Sequence, residues 1–200
     1  MLGLLAVALI GIPLALATGG SLGAWTRVRL EWAPLLMLAF ATELLLYNPP
    51  VDHQAWALAC GPLIWIATKL AMLAVFLRNA RLYPRLSPWF VAAVGITLNT
   101  LVIGLNGGHM PQSLAARDAV WGPNATQLWD QPDRLYNVAP MTDATRLPWL
   151  GDVLAEPSWT LRPNVVSVGD LLLAFGMCWW AYGATLGDGR KPPKPQTVSI

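Results

Sequence analysis

The chain has 200 residues, 55% of them hydrophobic and only 12% charged, with a net charge of +2. A soluble domain carries roughly 25% charged residues, so a water-soluble fold of this length would expose too much apolar surface and lipid is the expected solvent. The small net charge argues against nucleic acid as a partner, and the two cysteines, Cys60 and Cys178, have no metal or CxxC spacing and read as buried free thiols.

Taken in chain order, five segments approach the roughly 20 apolar residues of a spanning helix. They cover about residues 2–18, closed by Gly19-Gly20; 32–47, stopped by Asn48-Pro49-Pro50; 54–77; 88–105; and 168–186. Ala15-Leu16-Ala17 resembles a signal-cleavage site, but no positive region precedes the first segment, which is therefore read as a retained span. Ser87-Pro88 is a helix start, a hydroxyl cap followed by a proline whose missing N–H is no loss at that position. Ser167-Val168-Gly169-Asp170 has the spacing of a capping box.

The fourth span ends in Asn106-Gly107-Gly108-His109-Met110-Pro111. The glycines supply positive φ to end the helix, and Pro111 is expected to open the next one. Of the eleven tryptophans, Trp25, Trp32, Trp56, Trp89, Trp149 and Trp159 fall near span ends or in loops, where an aromatic belt belongs. Trp179 and Trp180 lie deeper and are expected to pack.

The basic residues fix a direction. Arg27 and Arg29 separate spans one and two, Arg78, Arg81 and Arg85 separate spans three and four, and Arg190, Lys191 and Lys194 follow span five. None lies between spans two and three. The positive-inside rule therefore places the N-terminus outside and the C-terminus in the cytoplasm, which requires an odd number of spans. The expected architecture is an all-α integral membrane protein. A four-helix transmembrane part (1–105) leads to a long extracytoplasmic segment (106–166), a fifth transmembrane helix (167–187) and a basic, proline-rich cytoplasmic tail (188–200). Within the outer segment, short interfacial helices are expected over 112–119 and 148–155, with Trp149, Leu150, Val153 and Leu154 as the apolar face of the second. The remainder reads as turns, and Asn124-Ala125-Thr126 is a weak glycosylation match.

Charges inside a bilayer are costly and mark function by default. Glu43, Asn99, Asn106, His109 and Asp170 all fall near the outer ends of their spans, so they form a candidate polar cluster at the mouth of the bundle, with His53 and Gln54 on the same side. Each also has a plain structural role. Asp170 caps its helix, Asn106 accompanies the glycine exit, and Glu43 reaches outer headgroups or pairs with an arginine such as Arg162. His109-Met110, joined by Met141 and His53, would make a soft-metal or heme site only if all converged, and adjacent side chains do not easily face one ion. No metal site is expected, and no cofactor is identified. Lys69 lies about fifteen residues into span three, roughly 22 Å down by helical rise. It either snorkels to the cytoplasmic face or needs a bundle partner, and no acidic residue is expected at that depth.

The segments NGGHMP, LPWLGD and PNVVSVGDLLLAFG, with the earlier GGSLGAW, resemble an uncharacterised family of small bacterial multipass membrane proteins, domain of unknown function 5317. The resemblance covers most of the chain and implies an all-helical protein of the bacterial inner membrane with no assigned activity. The outer segment is longer here, around residues 115–146, so nothing is carried onto that stretch.

The sequence holds no GxSxG, HExxH or Walker loop, and an enzyme is the less expected class. The favoured expectation is a non-catalytic membrane subunit or assembly factor of a larger complex, contacting lipid and other membrane subunits. The alternative is a module that binds or transports a small solute, ion or lipid headgroup through the outer polar cluster.

Overall fold

A computed structural model describes residues 9–82, 87–122, 133–160 and 163–187. Part of the first expected span, Arg85, the Asn124 sequon, Arg162 and the basic tail lie outside these residues.

The described chain is mostly helical. Its helices are α1 (Gly11–Ala17), α2 (Ala33–Leu46), α3 (Ala55–Ala80), α4 (Pro88–Leu105), α5 (Leu114–Trp121) and α6 (Val168–Leu186). The bounds expected over 88–105 and 168–186 are those observed, because strong caps set them. Ser87 Oγ accepts from Phe90 N at 3.2 Å. Ser167 Oγ accepts from Asp170 N at 2.9 Å while Asp170 Oδ2 accepts from Ser167 N at 3.2 Å, completing the capping box. Gly107 and Gly108 take φ of +70° and +84°, as the helix exit requires.

Among the described residues, two helices are long and apolar enough to cross a membrane, α3 with 26 residues and α4 with 18. α2 has 14 residues, about 21 Å by helical rise, and α6 has 19. Many large side chains on the outer faces are uncovered, among them Met37 and Leu44 at 68% exposure and Leu63 at 70%.

Helix directions follow from specific contacts. α2 and α3 are antiparallel: Glu43 meets Lys69 near one end, and Glu31 meets Arg78 and Asn79 at the other. α3 and α4 are antiparallel, joined by Phe76 against Trp89 (5.7 Å between ring centroids) and by Gly108 against Pro62. α4 and α6 are antiparallel and share a seam of small residues. A Cβ on Gly176 would lie 2.6 Å from Pro88 O, and one on Gly169 would strike the Asn99 amide. α1 runs parallel to α6. Gly11 backs onto Cys178, and the turn after α1 continues alongside, with Ser21 N donating to Thr185 O at 2.8 Å and Trp25 Nε1 to Thr185 Oγ1 at 3.0 Å.

The core has a lower cluster of Ala39, Met72, Phe76, Trp89, Ala92, Ala93 and Ile96. An upper one contains Trp65, Val102, Ile103 and Met110. Trp32, Trp56, Trp149 and Trp159 are exposed, as belt residues would be, but Trp89 is 2% exposed. Its ring packs at a tilt against Trp180, 5.0 Å between centroids, and Trp180 meets Trp25 at 5.3 Å. Position near a span end does not distinguish a headgroup ring from one turned inward. Nor are both thiols buried in the chain, since Cys60 is exposed on α3 and Cys178 half-buried.

The outer segment departs from the all-α expectation. β1 (Met110–Gln112) pairs in parallel with β2 (Val138–Pro140), and β3 (Leu154–Ala155) pairs antiparallel with β4 (Val165–Val166). Pro111 therefore sits in a strand, and the next helix starts three residues later at Leu114, capped by Ser113 Oγ accepting from Ala116 N at 3.3 Å. The helix expected over 148–155 is a single 3₁₀ turn, Pro148–Leu150. Gly151 leaves helical geometry there and packs against Pro111 O and Met141.

This segment is tied to the α2–α3 connection. Asp52, fully buried, accepts from Arg134 Nε at 2.9 Å, and its backbone oxygen accepts from Leu135 N at 2.7 Å. His53 Nδ1 lies 3.1 Å from Asp133 O.

Candidate functional site

The five polar residues expected at one mouth separate into three groups. The first is built on the α4–α6 seam. Asn99 Nδ2 donates to Asp170 Oδ1 at 2.7 Å, and Ser167 Oγ donates to Asn99 Oδ1 at 2.9 Å. Asp170 is thus both a helix cap and a partner to the facing helix.

The second group is a buried ion pair. Lys69 Nζ donates to Glu43 Oε2 at 2.8 Å, with side-chain exposures of 8% and 6%. Thr68 Oγ1 donates to Glu43 Oε1 at 2.7 Å, and the ammonium stands 5.3 Å from the centre of the Trp65 ring. This corrects the expectation that no acid lies at the depth of Lys69. Counting residues from each helix's own end assumed level ends. Tyr47, one residue past α2, instead meets Trp65 in the middle of α3 edge-to-face at 5.6 Å, so α2 stops well below the start of α3. Glu43 accordingly meets a lysine of its neighbouring helix rather than headgroups.

The third group is scaffolding. Asn106 holds the outer segment down, its Nδ2 donating to Arg146 O at 2.9 Å and its Oδ1 accepting from Arg146 N at 2.9 Å. His109 Nδ1 lies 3.0 Å from Tyr136 O, next to the β1–β2 pairing. Met110 is buried against Trp65, Met141 packs at Gly151, and His53 faces Asp133, so the four soft ligands go to separate places. Among the described residues, no group of three His, Cys, Asp or Glu side chains is placed to hold a metal.

The first two groups share a space. A cavity of about 450 Å³ lies between the bundle and the outer segment, and both Lys69 and the Asn99–Asp170 pair line it. Its lower walls are Phe40, Ile96, Leu173, Ala174 and Met177; its upper end carries Gln112, Arg117, Asn137, Asp152 and Asn164. Phe40 lines it from α2 and is 49% exposed.

Arg117 and Asp152 are not among the residues singled out by the sequence, and residue 112 is expected only to open a helix. The structure joins them in one relay. Arg117 Nη1 donates to Gln112 Oε1 at 2.7 Å, and Gln112 Nε2 approaches Asp152 Oδ2 at 3.4 Å. The Arg117 guanidinium also stands 5.0 Å from the centre of the Trp121 ring. Backbone pairing fixes the position of Asp152, whose N donates to Pro111 O at 2.8 Å and whose O accepts from Ser113 N at 2.9 Å. Its side chain is deeply buried, and Oδ1 has no hydrogen-bond partner among the described residues. Burial, and then the neighbouring Asp170, push this carboxyl well above the usual carboxylate range. The one sequence hint was the pair of motifs around it: Gly151-Asp152 ends LPWLGD, and Gln112 directly follows NGGHMP.

The arrangement is an apolar slot with convergent polar groups at one end, the usual composition of a small-molecule site.

The chain belongs to a family of unknown function (DUF5317), whose model matches residues 27–182. No curated protein and no solved structure matches it.

Proposed function

We propose that this protein is a five-span protein of the bacterial inner membrane that binds a small amphiphilic molecule at its extracytoplasmic mouth. The observation that carries the reading is the 450 Å³ cavity, with hydrocarbon walls below and Gln112, Arg117 and Asp152 above. The exposure of Phe40 suits a ligand that arrives sideways from the bilayer.

Several features support the membrane topology. α2, α3, α4 and α6 alternate in direction, and α1 parallels α6, which is the pattern of an odd-numbered bundle. Arg27 follows α1, and Arg78 and Arg81 close α3, at the end opposite the outer segment. That end is the cytoplasmic one by the positive-inside rule. α2 is short for a bilayer core of about 30 Å, and the Lys69–Glu43 pair beside its upper end suits local thinning or water access there. In this reading residues 106–166 are the extracytoplasmic roof.

Gentle-detergent purification followed by native mass spectrometry tests the proposal. Wild-type protein should retain a small amphiphile, and Ala174→Leu, which adds bulk inside the cavity, should lose it. Equal retention of nothing but bulk phospholipid by both forms would refute the binding role. A stoichiometric protein partner over an empty cavity would point instead to an accessory subunit of a larger complex. Cysteine placed at Asp143, an exposed roof position, should react with a membrane-impermeant maleimide from outside intact cells; reaction only after lysis would overturn the topology.

A further inference from the structure

The cavity's polar end states which head group it lacks. Its cations are already engaged: Lys69 by Glu43 at 2.8 Å, and Arg117 by Gln112 and the face of Trp121. Its acceptors are not. Asp170 receives Asn99 and its own helix cap, but Asp152 is 6% exposed and its Oδ1 accepts from nothing among the described residues. A buried oxygen without a donor is destabilising, and a ligand that supplies the donor removes that penalty.

Charge agrees with this. The ionisable groups at the site are Lys69 and Arg117 on one side and Glu43, Asp152 and Asp170 on the other, two positive against three negative when all are ionised. Without a ligand, a proton on Asp152 restores balance, consistent with its raised carboxyl. A monocation would do the same and would also satisfy Oδ1. A small inorganic cation could use the polar end but would leave the apolar walls unfilled, whereas a cation with a hydrocarbon body uses both.

We infer that the site takes an amine-bearing amphiphile, its ammonium group donating to the Asp152 carboxylate within the field of Asp170 and its hydrocarbon body lying along Ile96, Leu173 and Met177 toward Phe40. This rests on the binding role proposed above and names the ligand class. When the ammonium docks, the proton on Asp152 leaves to solvent, so binding exchanges one cation for another.

Three probes of equal tail and different head separate the possibilities: dodecylamine, dodecanol and dodecanoate, titrated against the full chain in phosphatidylcholine nanodiscs. The expected order is amine first by tenfold or more, with Asp152→Asn lowering amine affinity at least tenfold and removing the preference for amine over dodecanol. The wild-type head-group order needs no variant and so stands even if Asp152→Asn fails to fold. Dodecanoate or dodecanol binding more tightly than the amine would overturn the amine assignment and leave the amphiphile role standing. Amine binding unaffected in a folded Asp152→Asn protein would also overturn it. No saturable binding of any probe would remove both.

Discussion

Replacing Lys69 by methionine leaves the Glu43 carboxylate buried with only the Thr68 hydroxyl for company. At the observed 2.8 Å, two unit charges attract by about 6 kcal/mol at an effective dielectric constant near 20. Stripping water from each ion costs several kcal/mol in return. The pair is therefore close to neutral as a whole, and each half is expensive alone. Lys69→Met and Glu43→Gln should each lose about 3–5 kcal/mol. The double variant Glu43→Leu/Lys69→Met, which removes both charges, should return to within about 1.5 kcal/mol of wild type. Reversible unfolding in mixed micelles, followed by tryptophan fluorescence, measures all four proteins. Additive losses in the double variant, or single variants as stable as wild type, would refute the account of a mutually dependent buried pair.

Three further outcomes follow from the same structure. Ser167→Ala removes the cap of α6 and a donor to Asn99 Oδ1; thermal unfolding should show a loss of about 2–3 kcal/mol. Gly176→Ala places a Cβ 2.6 Å from Pro88 O and 2.8 Å from Ala92 N and should cost about 1–3 kcal/mol, whereas Gly183→Ala meets nothing within 4 Å and should gain about 0.5–1 kcal/mol, a contrast in sign that one melting series reads. For pH, the folded chain keeps a proton on Asp152 that the unfolded chain releases above the ordinary value of 3.8. Stability should therefore fall as pH rises from there to the raised folded value, and Asp152→Asn should flatten that slope in melts across the range.

What was legible in the sequence was what a local rule controls. Ser87-Pro88 and Ser167 through Asp170 set helix starts by side-chain chemistry within one turn, and α4 and α6 begin where those residues say. The glycine exit after α4 was equally local. The strands of the roof were not legible: at two or three residues they are too short to display a period. The partner of Lys69 was hidden for a different reason. Relative helix height is a tertiary quantity, and the offset between α2 and α3 is set by the folded 47–54 connection and its lock on Arg134 and Leu135. Asn99 and Asp170 were named as site residues and do meet. Gln112, Arg117 and Asp152 were missed because a strand register and a parallel pairing with residues 28 positions away bring the roof over the bundle.

The pairing of α1 with α6 has a bearing on how the molecule is made. The Trp25 indole rests on a threonine 160 positions further along, and Gly11 has its neighbour in Cys178. A ribosome releases the earliest of these helices long before its mate exists. In the five-span arrangement proposed above, α1 would wait in lipid with its small-residue face uncovered, and the bundle would close only when the last helix arrives. Chains cut short before residue 168 would leave that face unpaired, a ready mark for membrane proteases, so C-terminal truncation should be cleared faster than its modest length suggests.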